Sequence, residues 1–161
     1  MEILERHHSI ILDSVIKTFD IQADLRLERT HESPSNTPGP DALAISLAIE
    51  GGLHGYIAIA LNQDAAGHIA RLVLSKAMER EFDSAEIDAD LRANTVGELL
   101  NFIIGDIVVQ MRNSASSMIK VPQIKKYADL IDEATSRTKS ITLAGPEAAL
   151  RILYAFELTE S

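Results

Sequence analysis

The chain has 161 residues, 46% of them apolar and 24% charged, as expected for one globular domain, and we predict a single domain over residues 1–161. Its net charge of −9 argues against binding to nucleic acid or to an anionic membrane, because both are negatively charged. The lack of cysteine excludes disulfide scaffolds and thiol nucleophiles, and a start without a signal-peptide pattern or any apolar run of about 18–20 residues favours a cytoplasmic protein without a membrane span.

The first forty residues are predicted to hold a helix, a strand and a loop. Apolar side chains recur at helical spacing over residues 1–19, whereas residues 21–29 alternate apolar and polar side chains as a half-buried strand does. His7 and His8 lie in this helix, but adjacent helical residues point in different directions and no partners at ligand spacing accompany them. We therefore predict no metal site there. Residues 30–41 contain three prolines, which favours a surface loop.

The clearest unit is a predicted β-hairpin over residues 42–61. Apolar residues alternate on both sides of Gly51-Gly52, a pair typical of a two-residue turn. The intervening positions are small and fairly apolar, so we expect both faces of these strands to be covered. Asn62 is a favourable N-cap for a second helix over residues 63–80.

The second half of the chain is predicted to begin with a long helix over residues 89–113. A strand over residues 118–124 that contains Pro122, a polar helix or loop over 125–138 and a final hairpin over 141–158 follow it. This gives about six strands and three main helices. Because the strands come in hairpins, the pattern predicts an α+β fold, a mostly antiparallel sheet with helices packed on one face. A doubly wound nucleotide fold is disfavoured, since no glycine-rich phosphate-binding motif occurs.

The long helix carries a polar stripe beside its broad apolar surface. Asn94, Glu98, Asn101 and Gly105 are spaced by four, three and four residues, so they lie along one side of the helix. Gly97 adjoins Glu98. Two glycines inside a helix cost about 1 kcal/mol each relative to alanine, a cost that close packing or access for a partner often offsets. Spacing alone more often marks a solvated face than a site.

A carboxamide and a carboxylate that share one side of a helix can take part in the hydrolysis of a phosphoryl group on another protein. A carboxamide donates one hydrogen bond and accepts another, so Asn101 can hold a water molecule in a set direction. Hydrolysis of a phosphoryl group needs mainly such positioning of water, with little covalent help from the protein. A carboxylate one turn away, Glu98, can pair with a cation of the protein that carries the phosphoryl group.

Glu98, Asn101 and Pro122 together resemble the signature of the CheC/CheX/FliY chemotaxis phosphatases, in which a Glu-x-x-Asn helix is followed by a downstream proline. The surroundings are similar as well, with a hairpin that ends in GYIAIALN and a helix that contains GELLNFIIGD. The resemblance covers residues 42–124 best. The single helix of this type is similar to CheX, whereas CheC carries two.

The resemblance implies a CheX-like phosphatase that docks on a phosphorylated CheY-like receiver domain and hydrolyses its aspartyl phosphate. In that role Asn101 orients the attacking water and Glu98 anchors the partner, while Asn94, Gly97 and Gly105 belong to the partner-binding surface. The resemblance further implies a homodimer. It implies no metal or cofactor of the chain's own, because the Mg²⁺ belongs to the receiver.

Two other functions stay open. Asn94 stands where the family usually has Asp or Ser, and the twenty residues between Asn101 and Pro122 are fewer than usual. These departures leave a non-catalytic signalling module of the same fold that only binds receiver domains. A sensor of small ligands on the covered sheet face is the third function, and a cavity between sheet and helices would favour it. The acidic residues between 83 and 90 lack the glycine and final glutamate of an EF-hand, so we predict no cation site there.

Overall fold

The computed structural model describes residues 2–30, 38–39, 42–111, 117–134, 137–146 and 148–158. These residues form four α-helices and seven strands. In chain order they are α1 (Glu2–Ala23), β1 (Glu28–Arg29), β2 (Leu43–Glu50), β3 (Leu53–Leu61), α2 (Gln63–Met78), α3 (Ala89–Gln110), β4 (Met118–Ile119), β5 (Gln123–Lys126), α4 (Tyr127–Glu133), β6 (Lys139–Gly145) and β7 (Ala148–Leu158). A single 3-10 turn, Ser84–Glu86, precedes α3.

One antiparallel sheet joins all the strands, in the order β1-β6-β7-β3-β2-β4, with β5 also paired to β2. The predicted hairpin is confirmed as β2 and β3, which pair from Leu43 opposite Leu61 to Ile49 opposite Gly55. The predicted final hairpin is confirmed as β6 and β7. The α+β fold with a mostly antiparallel sheet is therefore confirmed.

The two faces of the sheet are covered differently. The apolar face of β2 and β3 packs with α1, α2 and α3 into one large core, to which Phe19, Ile45 and Leu100 contribute. The other face is lined by alanines and is covered by the short helix α4 through Tyr127 and Leu130. The expectation that both faces of this hairpin are covered is thus confirmed, because small side chains leave room for a helix on the second face.

The predicted strand over residues 21–29 is wrong for most of its length. Helix α1 continues to Ala23, and only Glu28–Arg29 pair as a strand. Asp24 ends the helix in the left-handed conformation, and its N–H donates to the Asp20 carbonyl at 3.1 Å, as in an αL cap. Ile21, which the alternation places on the buried face of a strand, is 50% exposed on the helix. The alternating pattern therefore spans the end of a helix and an extended segment, and it does not describe one strand.

The sheet has seven strands where the sequence predicts about six, because Pro122 divides one predicted strand. Lys120 N–H still bonds the Ala48 carbonyl at 2.9 Å, and pairing resumes with Gln123 opposite Ser46. Two residues, Val121 and Pro122, therefore stand opposite the single residue Leu47. This is a β-bulge, and Pro122 has no N–H to offer to a regular ladder.

Both central helices begin where the sequence predicts. Asn62 holds the N-cap position of α2, but its side-chain oxygen accepts from the Gly39 N–H at 3.0 Å and makes no cap bond to the helix. Asp88 caps α3 by accepting from the Leu91 N–H at 2.8 Å. Helix α2 ends at Met78, two residues early, because Glu79 adopts the left-handed conformation. Helix α3 ends at Gln110, before the predicted end at residue 113, because Met111 is extended. Most of the predicted loop over 30–41 lies outside the described residues.

Candidate functional site

Helix α3 presents one side to solvent because its other sides are buried. Val96, Leu99, Leu100, Ile103 and Ile107 are fully enclosed in the main core against the sheet, α1 and α2. This broad apolar surface fixes the rotation of the helix about its own axis, since any other rotation would expose several large side chains. The polar stripe predicted from the sequence is consequently the side that remains outside.

The exposed stripe contains the residues that the sequence singles out. Asn94, Glu98 and Asn101 are all exposed on α3. Their side chains make no hydrogen bond or ion pair within the described part of the chain. Gly105 continues the stripe, and a Cβ added there would meet no atom within 4 Å. The carboxylate and both carboxamides are therefore available to a molecule that approaches from outside.

A groove of about 340 Å³ runs beside this stripe, between α3 and the bulge that joins β4 to β5. Its walls come from α3 on one side and from β2 and the bulge on the other: Ile45, Ala93, Asn94, Gly97, Glu98, Asn101, Val121, Pro122 and Ile124. The structure thus brings Asn94, Gly97, Glu98 and Asn101 together with Pro122. Gly105 lies further along the helix and does not line the groove.

Gly97 and Pro122 make the contact that sets the distance between the helix and the bulge. Gly97 is buried, and a Cβ built on it would lie 3.4 Å from the Pro122 Cβ and 3.6 Å from its Cγ. The bulge turns Pro122 toward α3, and the space left between the proline ring and Gly97 is no larger than a methyl group. The twenty residues between Asn101 and Pro122 are therefore enough for Pro122 to reach Gly97.

Comparison with known proteins agrees with this geometry. The family profile described as "Chemotaxis phosphatase CheX" matches residues 43–144, which is 102 of the 161 residues. The chain belongs to the CheX family. The matched segment contains the β2–β3 hairpin, α3 and the bulge, so it includes every residue that lines the groove.

Solved structures of other family members share the fold. CheX of Borrelia burgdorferi, in a complex with CheY, BeF₃ and Mg²⁺, matches with a TM-score of 0.68 at 15% identity over 94% of this chain and 97% of that one. CheX of Vibrio vulnificus matches with a TM-score of 0.65 at 15% identity, over 94% and 96%. A CheC-like protein of Shewanella sp. PV-4 matches with a TM-score of 0.68 at 15% identity, over 94% and 97%. Compared with curated protein sequences, the chain matches none.

The groove of this CheX-family chain has an apolar rim that the sequence analysis missed. Val121 is 79% exposed and Ile124 is 67% exposed on the strand side, and Phe102 is 53% exposed on α3. Phe102 follows Glu98 by four residues, a spacing that places both on one side of the helix. This spacing could have identified Phe102 as part of the groove's rim. The four aliphatic residues around it in LLNFII are buried, so Phe102 reads as one more core residue in the sequence. Exposed apolar side chains grouped around a polar groove are typical of a surface that binds another protein.

A hydrogen-bonded cluster ties α3 to α1 behind the stripe. Ser14, fully buried on α1, donates to Asp106 Oδ2 at 2.7 Å, and Gln110 Nε2 donates to the same oxygen at 2.8 Å. Lys17 pairs with Asp106 Oδ1 at 3.4 Å. Burial raises the pKa of Asp106, but the hydrogen bonds and the charge of Lys17 outweigh it, so this pKa lies below its usual value. The cluster stabilises the position of the helix that carries the candidate site.

A second groove, of about 520 Å³, lies on the opposite face of the sheet between β2, the bulge strand and α4. A cavity between sheet and helix is the observation that favours a ligand sensor. Its charged side chains, however, pair with each other, Glu50 with Lys120 at 3.2 Å and Lys125 with Glu133 at 2.8 Å. The groove therefore does not favour a ligand of either charge.

Among the described residues, no group of three or more His, Cys, Asp or Glu side chains could hold a metal ion. None of the described helices is long and apolar enough to cross a membrane. The chemistry available at the groove is that of one carboxylate and two carboxamides, which can orient water and bind a cation.

Proposed function

We propose that this chain is a phosphatase that hydrolyses the aspartyl phosphate of a CheY-like receiver domain. The observation that carries the proposal is the exposure of Glu98 and Asn101, without side-chain partners in the described part of the chain, on one groove with Gly97 and Pro122. Membership of a chemotaxis phosphatase family supports it. The similar Borrelia burgdorferi protein, whose structure contains CheY, BeF₃ and Mg²⁺, supports the choice of partner.

In the proposed reaction Asn101 acts on the attacking water. Its carboxamide oxygen accepts a hydrogen bond from the water, which holds the water oxygen in line with the bond between phosphorus and the aspartyl oxygen. The water oxygen bonds to phosphorus, the bond to the aspartyl oxygen breaks, and inorganic phosphate and the free carboxylate result. The chain needs no cofactor of its own for this step, and Mg²⁺ belongs to the receiver.

Glu98 and the glycines act in docking. Glu98 anchors the complex by pairing with a cation of the receiver, a pair that gains strength when the interface excludes water. Asn94 extends the polar contact along α3. Gly97 keeps the groove open, and Gly105 lets the partner approach the helix backbone closely. A homodimer in the cytoplasm, where receiver domains act, completes the proposal.

The test is the decay of a phosphorylated receiver in the presence of wild-type protein, Asn101→Ala and Glu98→Ala. We expect the wild type to accelerate decay and Asn101→Ala to lose about two orders of magnitude in kcat. Glu98→Ala should mainly raise KM. Gln123→Ala, an exposed amide that lines the groove on the opposite face, is the matched control and should keep wild-type activity. Equal decay with wild type and Asn101→Ala, no faster than the receiver alone, contradicts the proposal.

The alternative is a module that binds receiver domains without hydrolysis, which Asn94 and the short gap to Pro122 favour. Capture of a receiver with unchanged phosphate loss supports this module. Weakened capture by Glu98→Lys would then assign the same groove to binding alone, since reversal of its charge converts attraction to the receiver's cation into repulsion.

A further inference from the structure

A third pocket, of about 310 Å³, lies between α2 and the start of α3. Gln63, Asp64, His68 and Arg71 of α2 line it together with Arg92 of α3. Nine residues separate Arg92 from Asn101, and at about 100° per residue these two side chains leave α3 on opposite sides. The pocket is therefore distinct from the groove of the proposed phosphatase.

Arg92 is held in place by the protein. Its Nε donates to Gln63 Oε1 at 3.1 Å, and its Nη1 donates to the Ile87 carbonyl at 3.0 Å. A Cβ added to Gly67 would lie 3.6 Å from Arg92 Cδ, so the arginine stem lies across α2 at a residue without a side chain. These two bonds use two of the five guanidinium N–H groups, and three remain for a ligand.

Arg71 is oriented by its neighbour on the same helix. Its Nη2 donates to His68 Nδ1 at 3.1 Å, one turn earlier on α2. Because a guanidinium only donates, this bond requires an unprotonated Nδ1 on His68. Arg71 keeps four N–H groups that this bond does not use. Two guanidinium groups with fixed orientations thus line the same pocket.

The charge of these two arginines is not neutralised locally. Among the described residues, no carboxylate lies within 4.0 Å of either guanidinium, although Asp64 lines the pocket. Several other cations have a carboxylate partner: Lys17, Lys76, Arg80, Lys120, Lys125 and Arg137. Two like charges that line one half-buried pocket repel each other, and a bound anion would remove that cost.

We propose that the pocket between α2 and α3 binds a phosphate-type oxyanion through Arg71 and Arg92. The planar guanidinium fork matches two oxygens of a phosphoryl group, and two such forks match a tetrahedral dianion better than a single carboxylate. The pocket volume suits inorganic phosphate or the phosphoryl end of a small phosphomonoester. The proposal does not depend on the phosphatase function, since it involves the other side of α3.

The test is a titration of the full chain with inorganic phosphate at constant ionic strength. Calorimetry measures the heat of binding, and NMR measures shifts of the backbone amide resonances of Gly67 and Ile87. We expect saturable binding in the millimolar range or tighter, with resonance shifts confined to this pocket. Arg71→Gln should weaken binding at least ~tenfold, because it removes one charged fork. Arg26→Gln, an exposed arginine outside the pocket, is the matched control and should bind as the wild type does.

A second ligand identifies the source of the phosphoryl group, and the choice of variant avoids a folding defect. Tighter binding of glycerol phosphate than of inorganic phosphate assigns the site to a phosphomonoester, and the reverse assigns it to free phosphate. Arg92→Gln removes bonds between two elements and can unfold the chain, whereas Arg71 bonds only His68 among the described residues, so Arg71→Gln carries the test. No binding, equal binding by Arg71→Gln, or equal binding of acetate would overturn the proposal.

Discussion

Gly97 on α3 and Pro122 in the bulge lie against each other, with 3.4 Å between the Pro122 Cβ and the position that a Gly97 Cβ would occupy. The contact joins two parts of the chain, with twenty-four residues between Gly97 and Pro122. It sets the width of the groove beside Glu98 and Asn101. The distance also decides which side chains position 97 can accept.

Gly97→Ala is expected to raise the free energy of unfolding by up to about 1 kcal/mol, because alanine favours a helix and a Cβ at 3.4 Å is in ordinary contact. Gly97→Leu should instead cost about 1–3 kcal/mol, since the larger side chain overlaps Pro122. Urea denaturation measures both. Gly105→Leu is the control, because nothing lies within 4 Å of its Cβ position. A Gly97→Leu protein as stable as Gly105→Leu would show that the contact is loose.

Substitution of the apolar rim is expected to affect docking and not the chemical step. Phe102→Ala, Val121→Ala and Ile124→Ser should each raise KM for the phosphorylated receiver several-fold and leave kcat unchanged, because uniform binding energy is lost. Steady-state kinetics separates the two constants. Met78→Ala, an equally exposed apolar residue at the end of α2, is the control. A fall in kcat with constant KM would assign the rim to catalysis.

The Asp106 cluster is expected to make stability depend on pH. The folded-state pKa of Asp106 lies below its unfolded value, so its contribution is complete at neutral pH and is lost as the pH falls below about 4. Asp106→Ala should cost about 1–3 kcal/mol at neutral pH, because Ser14 is left buried without its acceptor. Denaturation at several pH values measures this, with the exposed Asp129→Ala as control. A cost that does not shrink in acid would contradict the assignment.

Tyr154 is expected to lose its hydroxyl proton only in strongly basic solution. Burial raises the pKa of its hydroxyl to about 12, although the charge of Arg29 opposes the shift. The folded-state pKa lies above the unfolded value of about 10, so this contribution is complete below pH 10 and lost as pH rises through 12. Ultraviolet difference absorbance should show one late step that Tyr154→Phe removes. If the step that Tyr154→Phe removes occurs near pH 10 instead, Tyr154 is accessible to solvent.

His8, which contacts Tyr154, is expected to make the stability of the fold depend on pH in mildly acidic solution. His8 bonds the Tyr154 hydroxyl and accepts from Arg29 Nη1 at 3.4 Å. Burial and the charges of Arg29 and Lys139 lower the pKa of His8. Its folded-state pKa is therefore below the unfolded one, and the stability that it contributes is lost as pH falls below about 6.5. His8→Gln should reduce the loss of stability between neutral and mildly acidic pH, as measured by thermal unfolding.

The sequence predicts the helices and strands that are determined by the pattern of neighbouring residues. Alternation around Gly51-Gly52 predicts the hairpin, and helical spacing places Glu98 and Asn101 on one side of α3. The family resemblance, not the spacing, connects that side with Pro122. The end of α1 was mispredicted because Ala23, Leu25 and Leu27 are all buried although they span a helix end, a cap and an extended segment.

The features that the sequence does not predict arise from distant residues that meet only in the folded chain. Pro122 indicates locally that the strand is interrupted, but the register in which pairing with β2 resumes depends on the partner strand. Arg71 and Arg92 lie on separate helices and share a pocket only through the packing of α2 on α3. Exposure of Phe102 depends on the rotation of α3, which the whole core determines.

The bulge has a consequence for how molecules of this protein meet at high concentration. Strands β4 and β5 form an outer edge of the sheet, and a regular edge would offer its backbone groups to a strand of another molecule. Val121 and Pro122 interrupt that ladder, and the exposed Lys126 adds a positive charge beside the interruption. The distortion that opens the groove therefore also protects the sheet from edge-to-edge aggregation.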